Sequence, residues 1–242
     1  SLSLSFSLTL SLFLFLSLSL SLSFSLSLSL SLSLSLLLSL SLPLEIDSVK
    51  GFLDPVEGAE LHRRAVDACA LGPCLEIGSY CGKSTVYLGQ ACKSQNRTLF
   101  AVDHHRGSEE HQLGEEYHDP EIFDDGLQIV DTFKLFRDTL RRADIESHVV
   151  PLVASSLVAA RDWLTPLGLV FIDGGHSFEA AQSDYDSWAP HVTSGGVLAI
   201  HDLFPDPDAG GQAPITIWRQ ALDSGLFDDL GVVRTLGVLR RR

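Results

Sequence analysis

The clearest pattern in the chain is a series of short, mostly apolar runs that alternate with amphipathic segments of helical period. Within each run the apolar positions are continuous rather than alternating. Parallel strands that are buried on both faces have this pattern. We therefore predict strands at Cys74–Ile77, Thr98–Asp103, His148–Val153, Leu169–Asp173 and Val197–Ile200.

Helical segments fill the intervals between these strands. Asp54 followed by Pro55 predicts a capped helix start, and Ser177 predicts another. A further helix is predicted over Leu157–Leu164. One more helix is predicted from four apolar residues at helical spacing, namely Ile129, Phe133, Phe136 and Leu140.

The end of the chain completes the predicted sheet. Gly195-Gly196 is expected to turn the chain into the fifth strand, and Val232-Val233 with Val238-Leu239 predict a closing hairpin. Alternating strands and helices indicate an α/β fold, a doubly wound, mostly parallel sheet with a C-terminal antiparallel hairpin. In such sheets ligands bind at the carboxyl ends of the strands.

The first 44 residues do not fit this domain, because they alternate Ser and Leu almost strictly and carry no charge. A membrane helix would need a more continuous apolar run, and a signal peptide would need a basic start and a cleavage site. We predict that residues 1–44 are a disordered or artefactual tract and that residues 45–242 form the domain. The chain contains no Met, so we expect its natural start to be missing or misassigned.

Charge and cysteine usage narrow the expected partners and location. A net charge of −14 argues against binding to nucleic acid or to an anionic membrane, both of which need a basic surface. The four cysteines show no C-x-x-C pair, and Cys74 and Cys92 fall on a predicted strand and helix. Buried thiols in a reducing, cytoplasmic setting are the expectation. A small-molecule acceptor is the expected partner, and a homo-oligomer stays open.

A glycine-rich turn follows the first strand at Gly78 to Gly82 and leads into a helix that begins with Lys83-Ser84. A strand, a glycine turn and a helix N-terminus together favour an anionic or nucleotide-like ligand. The phosphate-binding pattern G-x-x-x-x-G-K-[ST] needs four residues between its glycines, and here there are three. The dinucleotide pattern G-x-G-x-x-G is also absent, because with Gly82 as its middle glycine Tyr80 and Thr85 occupy the first and third glycine positions.

The pattern that fits is E-x-G-x-x-x-G, followed by an acid at the end of the second strand. With the segments Phe171–Ser177, Gly195–Leu198 and His201-Asp202, the turn resembles the class I S-adenosylmethionine-dependent methyltransferases. More narrowly, it resembles a bacterial subgroup that acts on small molecules. The resemblance implies a seven-stranded Rossmann-like methyltransferase sheet.

The resemblance also implies roles for individual residues. Asp103 would hold the ribose, and Ala154–Ser156 would border the adenine, although an acid often found in that segment is absent here. The full set of residues expected to bind S-adenosylmethionine is Glu76, Gly78, Ser79, Tyr80, Gly82, Ser84, Asp103, His104, Ser155 and Asp173.

Two chemical hypotheses apply at the ends of the fourth and fifth strands. In one, Asp173, His201 and Asp202 bind a divalent metal such as Mg²⁺ that holds the substrate oxygens, although the histidine departs from an all-oxygen ligand set. In the other, His176 or His201 is a general base, with Asp173 among the catalytic groups. A third interpretation assigns these residues only a structural role.

The function indicated is methyl transfer from S-adenosylmethionine to a small molecule, at a hydroxyl oxygen. Two alternatives stay open, a non-catalytic binding relative of the same fold and a phosphotransferase resembling P-loop enzymes. The long loop from His104 to Gly126, with His111 and His118 among many acids, is expected to be either a lid or a solvated loop.

Overall fold

The computed structural model describes residues 40–107, 119–124, 126, 128–175 and 177–242. Residues Leu42–Arg242 form one compact unit. Most of the Ser/Leu tract lies outside the described residues, and so do His176, His111 and His118. The predictions made for those residues stay predictions.

The domain is organised around one seven-stranded sheet. The strands are β1 (Cys74–Ile77), β2 (Leu99–Val102), β3 (Val149–Leu152), β4 (Leu167–Ile172), β5 (Val192–Ile200), β6 (Phe227–Val233) and β7 (Leu236–Arg241). In the order β3-β2-β1-β4-β5-β7-β6, the first five strands are parallel, and β7 runs antiparallel to both of its neighbours. This arrangement confirms the predicted α/β fold with its C-terminal hairpin.

Helices cover the sheet, and their starts follow local capping rules. The Asp54 side chain accepts from Val56 N at 2.7 Å and Glu57 accepts from Asp54 N at 3.2 Å, which forms a capping box. Ser177 caps its helix through Ala180 N at 3.2 Å. The helices are α1 (Pro55–Ala68), α2 (Lys83–Ser94), α3 (Phe133–Arg142), α4 (Ser156–Ala160), α5 (Phe178–Trp188) and α6 (Ala213–Asp223).

Two predicted helices differ from the observed ones. Ile129 does not belong to α3; it pairs with Asp124 in a small antiparallel pair of strands, Phe123–Asp124 and Ile129–Val130. Helix α4 ends at Ala160, four residues before the predicted Leu164. Beyond that end, Trp163 packs edge-on against other aromatic rings in preference to continuing the helix.

The glycine pair before the fifth strand also differs from its predicted role, because β5 already begins at Val192 and Gly195-Gly196 lie within it. A Cβ at Gly196 would stand 2.8 Å from the Gly168 carbonyl oxygen. The glycine therefore permits a close approach of β4 and β5, at a point where their register shifts.

Other features of the described residues agree with the sequence. All four cysteines are buried and free, as expected for Cys74 and Cys92. Every helix in the described part of the chain is too short or too polar to cross a bilayer.

Backbone hydrogen bonds at the carboxyl ends of β1, β2 and β4 fix the position of the glycine turn. Gly78 N donates to Val102 O, and Asp173 N donates to Ile77 O, both at 3.0 Å. Gly78 has a φ of +88°, and a Cβ there would lie 1.9 Å from the Asp173 carbonyl oxygen. Only glycine satisfies both the left-handed backbone and this contact.

We predict that Gly78→Ala lowers the free energy of unfolding by about 3 kcal/mol or more, because the new methyl group collides with backbone that cannot move aside. Gly225→Ala is the matched control, since Gly225 has a φ of +69° but no atom within 4 Å of its added Cβ. That control should lose only about 1 kcal/mol, from backbone strain alone. Urea unfolding of both variants measures the difference, and equal losses would contradict the steric explanation.

Candidate active site

A cleft of about 790 Å³ opens at the carboxyl ends of the central strands. Its walls come from the turn after β1, from the segments after β2 and β3, and from the ends of β4 and β5. Seven of the residues predicted to bind the cofactor line this cleft, namely Gly78, Ser79, Tyr80, Ser84, Asp103, His104 and Asp173.

Three residues of that set are not part of the cleft lining. Gly82 begins α2 and packs against α3, where its Cβ would lie 3.1 Å from Thr139. Ser155 is exposed just before α4, while its neighbours Ala154 and Ser156 line the cleft. Glu76 is completely buried beneath the turn. Contacts from these three residues to a cofactor stay predictions.

Asp103 joins the two loops that border the cofactor side of the cleft. Its Oδ2 accepts from Tyr80 N and its Oδ1 accepts from His105 N, each at 2.7 Å. Tyr80 has a φ of +46° and His105 a φ of +58°, so this carboxylate stabilises two residues of unusual backbone. Asp103 is therefore fixed in orientation while its carboxylate still faces the cleft.

Glu76 supports the turn from below. Thr85 Oγ1 donates to its Oε1, and Ser84 Oγ donates to its Oε2 at 3.1 Å. Burial raises the pKa of Glu76 to about 7 against the opposing effect of these hydroxyls. The buried Ser79 hydroxyl also lies close enough to Glu76 to lower that pKa, although its geometry is poorer than that of a regular hydrogen bond.

The opposite wall contains a compact cluster at the ends of β4 and β5. His201 Nδ1 lies 3.0 Å from Asp173 Oδ1 and 3.4 Å from Asp202 Oδ1. The three residues each offer one ligand atom, and these atoms lie within 4.8 Å of one another. The structure thus brings together Asp173, His201 and Asp202, as predicted from their positions at neighbouring strand ends.

A residue that the sequence did not single out completes this cluster. Glu57 Oε2 lies 3.0 Å from His201 Nε2, and Glu57 Oε1 accepts from both the backbone N and the hydroxyl of Thr235 at 2.7 Å. The capping-box position of Glu57 is visible in the sequence. Its contact with a histidine 144 residues away has no local signal.

The positive charge of the His201 ring compensates the negative charges of the carboxylates around it. Burial by itself lowers the pKa of His201. The surrounding carboxylates, Asp173 first and then Asp202 and Glu57, outweigh burial and raise this pKa far above its usual value. In this state both ring nitrogens carry protons and face carboxylates, which disfavours His201 as a general base.

The comparison with known proteins agrees with this geometry. A family model described as a methyltransferase domain matches residues 75–203, more than half of the chain. The chain belongs to this methyltransferase family.

Solved structures with a similar fold include three O-methyltransferases. NovP is 16% identical over 77% of this chain and 80% of its own, with a TM-score of 0.56. TomG from Streptomyces achromogenes, in complex with SAM, is 18% identical over 78% of this chain and 81% of its own, with a TM-score of 0.54. An enzyme from Bacillus cereus, in complex with SAH, is 14% identical over 79% of this chain and 83% of its own, with a TM-score of 0.55. At these identities the likeness concerns the fold. With the family match, it confirms the class I S-adenosylmethionine-dependent assignment.

The phosphate-binding alternative finds no support in the methyltransferase structure. Lys83 Nζ donates to Gly51 O at 3.2 Å, and the Ser84 hydroxyl donates to Glu76. These are the two residues that a phosphate-binding loop would use for its ligand and metal. Here both make contacts with the protein itself.

The loop after β2 is only partly described, and its two described histidines differ. His105 is buried against Phe133 and Phe136, with ring centroids 5.0 Å apart, and its Nδ1 lies 2.8 Å from Thr132 Oγ1. It therefore has a packing role. His104 is half-exposed and lines the cleft of the methyltransferase.

We predict that Glu76→Gln flattens the dependence of stability on pH. The folded pKa of about 7 exceeds the ordinary value of 4.5, so between these values the folded state binds more protons than the unfolded state. Stability of the wild type should therefore fall by about 3 kcal/mol as pH rises through this interval. Urea unfolding at several pH values should show this fall as the difference between wild type and variant.

The surface substitution Glu146→Gln is the control for that experiment, because it removes an exposed carboxylate from the same domain. It should leave the pH profile of the wild type unchanged. A Glu76→Gln profile parallel to the wild type would show that the buried carboxyl does not titrate in this interval.

Proposed function

We propose that this methyltransferase transfers the methyl group of S-adenosylmethionine to a hydroxyl oxygen of a small molecule. The observation that supports this most directly is a cleft whose two walls carry different chemical groups. Asp103 and the glycine turn line one side, and the cluster of Asp173, His201 and Asp202 lies on the other. The structurally similar NovP, TomG and Bacillus cereus enzymes are O-methyltransferases.

The cofactor side suits a ribose and an amino-acid moiety. Each Asp103 oxygen accepts one backbone N–H and retains capacity for a ribose hydroxyl. Ser79 and Gly78 line the same wall of the cleft.

Methyl transfer requires little covalent chemistry from the protein. The acceptor oxygen forms a bond to the methyl carbon while the carbon–sulfur bond breaks and its electron pair returns to sulfur. The acceptor hydroxyl must also lose its proton. The protein therefore supplies alignment and a means of lowering the pKa of the acceptor.

We further propose that Asp173, His201 and Asp202 hold a divalent cation. An imidazole lone pair cannot face two carboxylates at 3.0 and 3.4 Å unless a proton or a cation separates them. Glu57 can accept the Nε2 proton and leave Nδ1 as a ligand, which is the usual arrangement of a carboxylate behind a metal-binding histidine. The residues therefore fit such an ion.

The mixed nitrogen and oxygen donors favour Mn²⁺ or another first-row ion over Mg²⁺. A bound cation would lower the pKa of an acceptor hydroxyl. Without it, a protonated His201 supplies the positive charge, and proton removal must come from another group.

For the cofactor site, we predict that Asp103→Asn weakens binding of S-adenosylhomocysteine by about tenfold or more, because a charged acceptor of the ribose is lost. Titration calorimetry measures the affinity, and thermal unfolding shows whether the loops remain folded. The exposed Asp162→Asn is the control and should bind as the wild type does. Unchanged affinity in Asp103→Asn would remove Asp103 from the cofactor site.

The same titration tests the broader assignment. A wild-type protein that binds neither S-adenosylmethionine nor S-adenosylhomocysteine would contradict the proposed function. Cofactor binding without S-adenosylhomocysteine production from any of a panel of phenols, catechols and sugars would favour the non-catalytic alternative.

For the metal, we predict that the EDTA-treated protein binds about one Mn²⁺ per chain and that Asp202→Asn weakens this binding by at least tenfold, since a charged ligand is removed. Electron paramagnetic resonance of free Mn²⁺ measures binding without reference to activity. Asp208→Asn, an exposed acid in the following loop, is the matched control. Absence of Mn²⁺ and Zn²⁺ binding by the wild type would support the metal-free cluster with a protonated His201.

A further inference from the structure

Three cysteine side chains meet at the amino end of β1, whereas the cleft lies at the carboxyl ends of the strands. Cys69 follows α1 directly, Cys74 is the first residue of β1, and Cys92 lies in the last turn of α2. All three are free, and each is at most 1% exposed. We call these three residues the thiol cluster. None of the steps proposed above uses it.

The sulfur atoms of the thiol cluster lie close to one another. Cys69 Sγ is 3.8 Å from Cys74 Sγ and 3.8 Å from Cys92 Sγ, and all three sulfurs lie within 4.8 Å of one another. The S–S bond of a disulfide is about 2.0 Å long, so these are three separate thiols. Three elements of the fold therefore direct one sulfur each toward the same point.

The separations of the sulfurs suit a metal ion between them. With two edges of 3.8 Å and a third of at most 4.8 Å, the equidistant point lies no more than about 2.5 Å from each sulfur, and a Zn–S bond measures about 2.3 Å. Two thiolates bound to one tetrahedral Zn²⁺ are accordingly about 3.8 Å apart. Thiolate sulfur is also a ligand that selects Zn²⁺ and Cu(I) over harder ions.

Positive charge lies beside the thiol cluster. Arg97 Nε donates to the Cys69 carbonyl oxygen at 2.8 Å. Contacts with the other two thiols lower the pKa of Cys69, burial opposes this effect, and the charges of Arg97 and His62 lower the pKa further. Three thiolates around a divalent ion carry one net negative charge. The neighbouring cations would offset that charge in a buried site.

Short turns separate the thiol cluster from solvent. Residues 70–71, which follow Cys69, and residues 94–97, which follow the last turn of α2, are exposed. Chain segments at helix ends open more readily than the strands of a buried sheet. The turns therefore offer an ion a route to the sulfurs that leaves the sheet intact.

We propose that Cys69, Cys74 and Cys92 together bind one thiophilic metal ion, Zn²⁺ or Cu(I), which joins the end of α1, the start of β1 and the last turn of α2. On binding, the thiols release their protons to solvent and each sulfur donates an electron pair to the ion. The inference is independent of the proposed function, because this site requires neither S-adenosylmethionine nor an acceptor.

The number of ligands distinguishes the two ions. Among the described residues, no fourth histidine, cysteine or acid joins the thiol cluster. Zn²⁺ would therefore keep one of its four positions for a water molecule. Cu(I) forms three-coordinate complexes with thiolates and would need no further ligand. Both ions share the same soft chemistry, so the experiment tests each of them.

The test uses the reduced full-length protein without oxygen, with Co²⁺ as a coloured substitute for Zn²⁺. Thiolate bound to Co²⁺ gives an intense charge-transfer absorption that carboxylate and imidazole ligands do not give. Asp173, His201 and Asp202 therefore do not contribute to this signal. About one equivalent of Co²⁺ should produce the absorption, and Zn²⁺ should abolish it by displacement. Cu(I) binding is measured by competition with a coloured Cu(I) chelator.

We predict that Cys74→Ala weakens binding of the ion by more than about 100-fold, since loss of even an outer partner of a metal ligand costs 10–100-fold. Cys81→Ala is the matched control, because Cys81 is the fourth cysteine of the chain and is equally buried but lies outside the thiol cluster. It should bind as the wild type does. Circular dichroism shows whether each variant is folded.

A second variant and the control together protect the test from a folding failure. If Cys74→Ala does not fold, Cys92→Ala removes a different ligand. If neither folds, a charge-transfer absorption that persists in Cys81→Ala still assigns the site to the thiol cluster, because the chain has only four cysteines.

The outcomes separate the site from its absence. A response to one ion alone supports the site and identifies that ion. Reduced wild-type protein that shows neither the Co²⁺ absorption nor Cu(I) binding would overturn the proposal, and so would a folded Cys74→Ala with wild-type affinity. Neither result bears on the cofactor assignment, which the S-adenosylhomocysteine titration tests separately.

Discussion

The site depends on the close approach of two backbones at the carboxyl ends of adjacent parallel strands. Gly78 lies against the carbonyl of Asp173 so closely that no side chain fits between them. This contact places the turn after β1 next to the end of β4. The cofactor wall and the acidic cluster are consequently held at a fixed separation by main-chain atoms rather than by flexible side chains.

Two buried carboxyl groups near this contact have pKa values shifted in opposite directions, because their hydrogen-bond partners differ. Glu57 and Glu76 are both buried, yet the pKa of Glu57 is lowered and that of Glu76 is raised. Burial opposes ionisation in both. Burial is the largest effect on Glu57, but a cationic His201 and the hydrogen bonds from Thr235 together outweigh it, whereas Glu76 receives only neutral hydroxyl groups. The protein thus places an ionised carboxylate beside the cluster and a readily protonated one beneath the turn.

The cluster itself joins distant parts of the chain. Helix α1 contributes Glu57, the strand ends contribute Asp173 and His201, and the turn before β7 contributes Thr235. A change in any of these elements would alter the orientation of the imidazole ring. The electrostatic balance of the site is therefore a property of the folded domain and not of one motif.

Local sequence determined the fold class and the location of the site. Continuous apolar runs that alternate with helical segments are typical of parallel strands buried on both faces, and glycines and acids at their ends indicate the ligand edge. Helix limits were less certain where packing overrides the pattern, as at Ile129 and after Ala160. The turn from Gly78 to Gly82 and the acid at Asp103 indicated the family together with the segments Phe171–Ser177, Gly195–Leu198 and His201-Asp202.

Only the tertiary structure decided that Glu57 joins the charged groups at the strand ends. Glu57 of α1 reaches His201 at the end of β5 across 144 residues of the chain. No spacing rule along the chain encodes such contacts, since they depend on how helices rest on the sheet. The sequence by itself therefore determined the strands and the glycine turn between them. The packing of α1 against the sheet decided the ionisation of the cluster, because the contact between Glu57 and His201 is long-range.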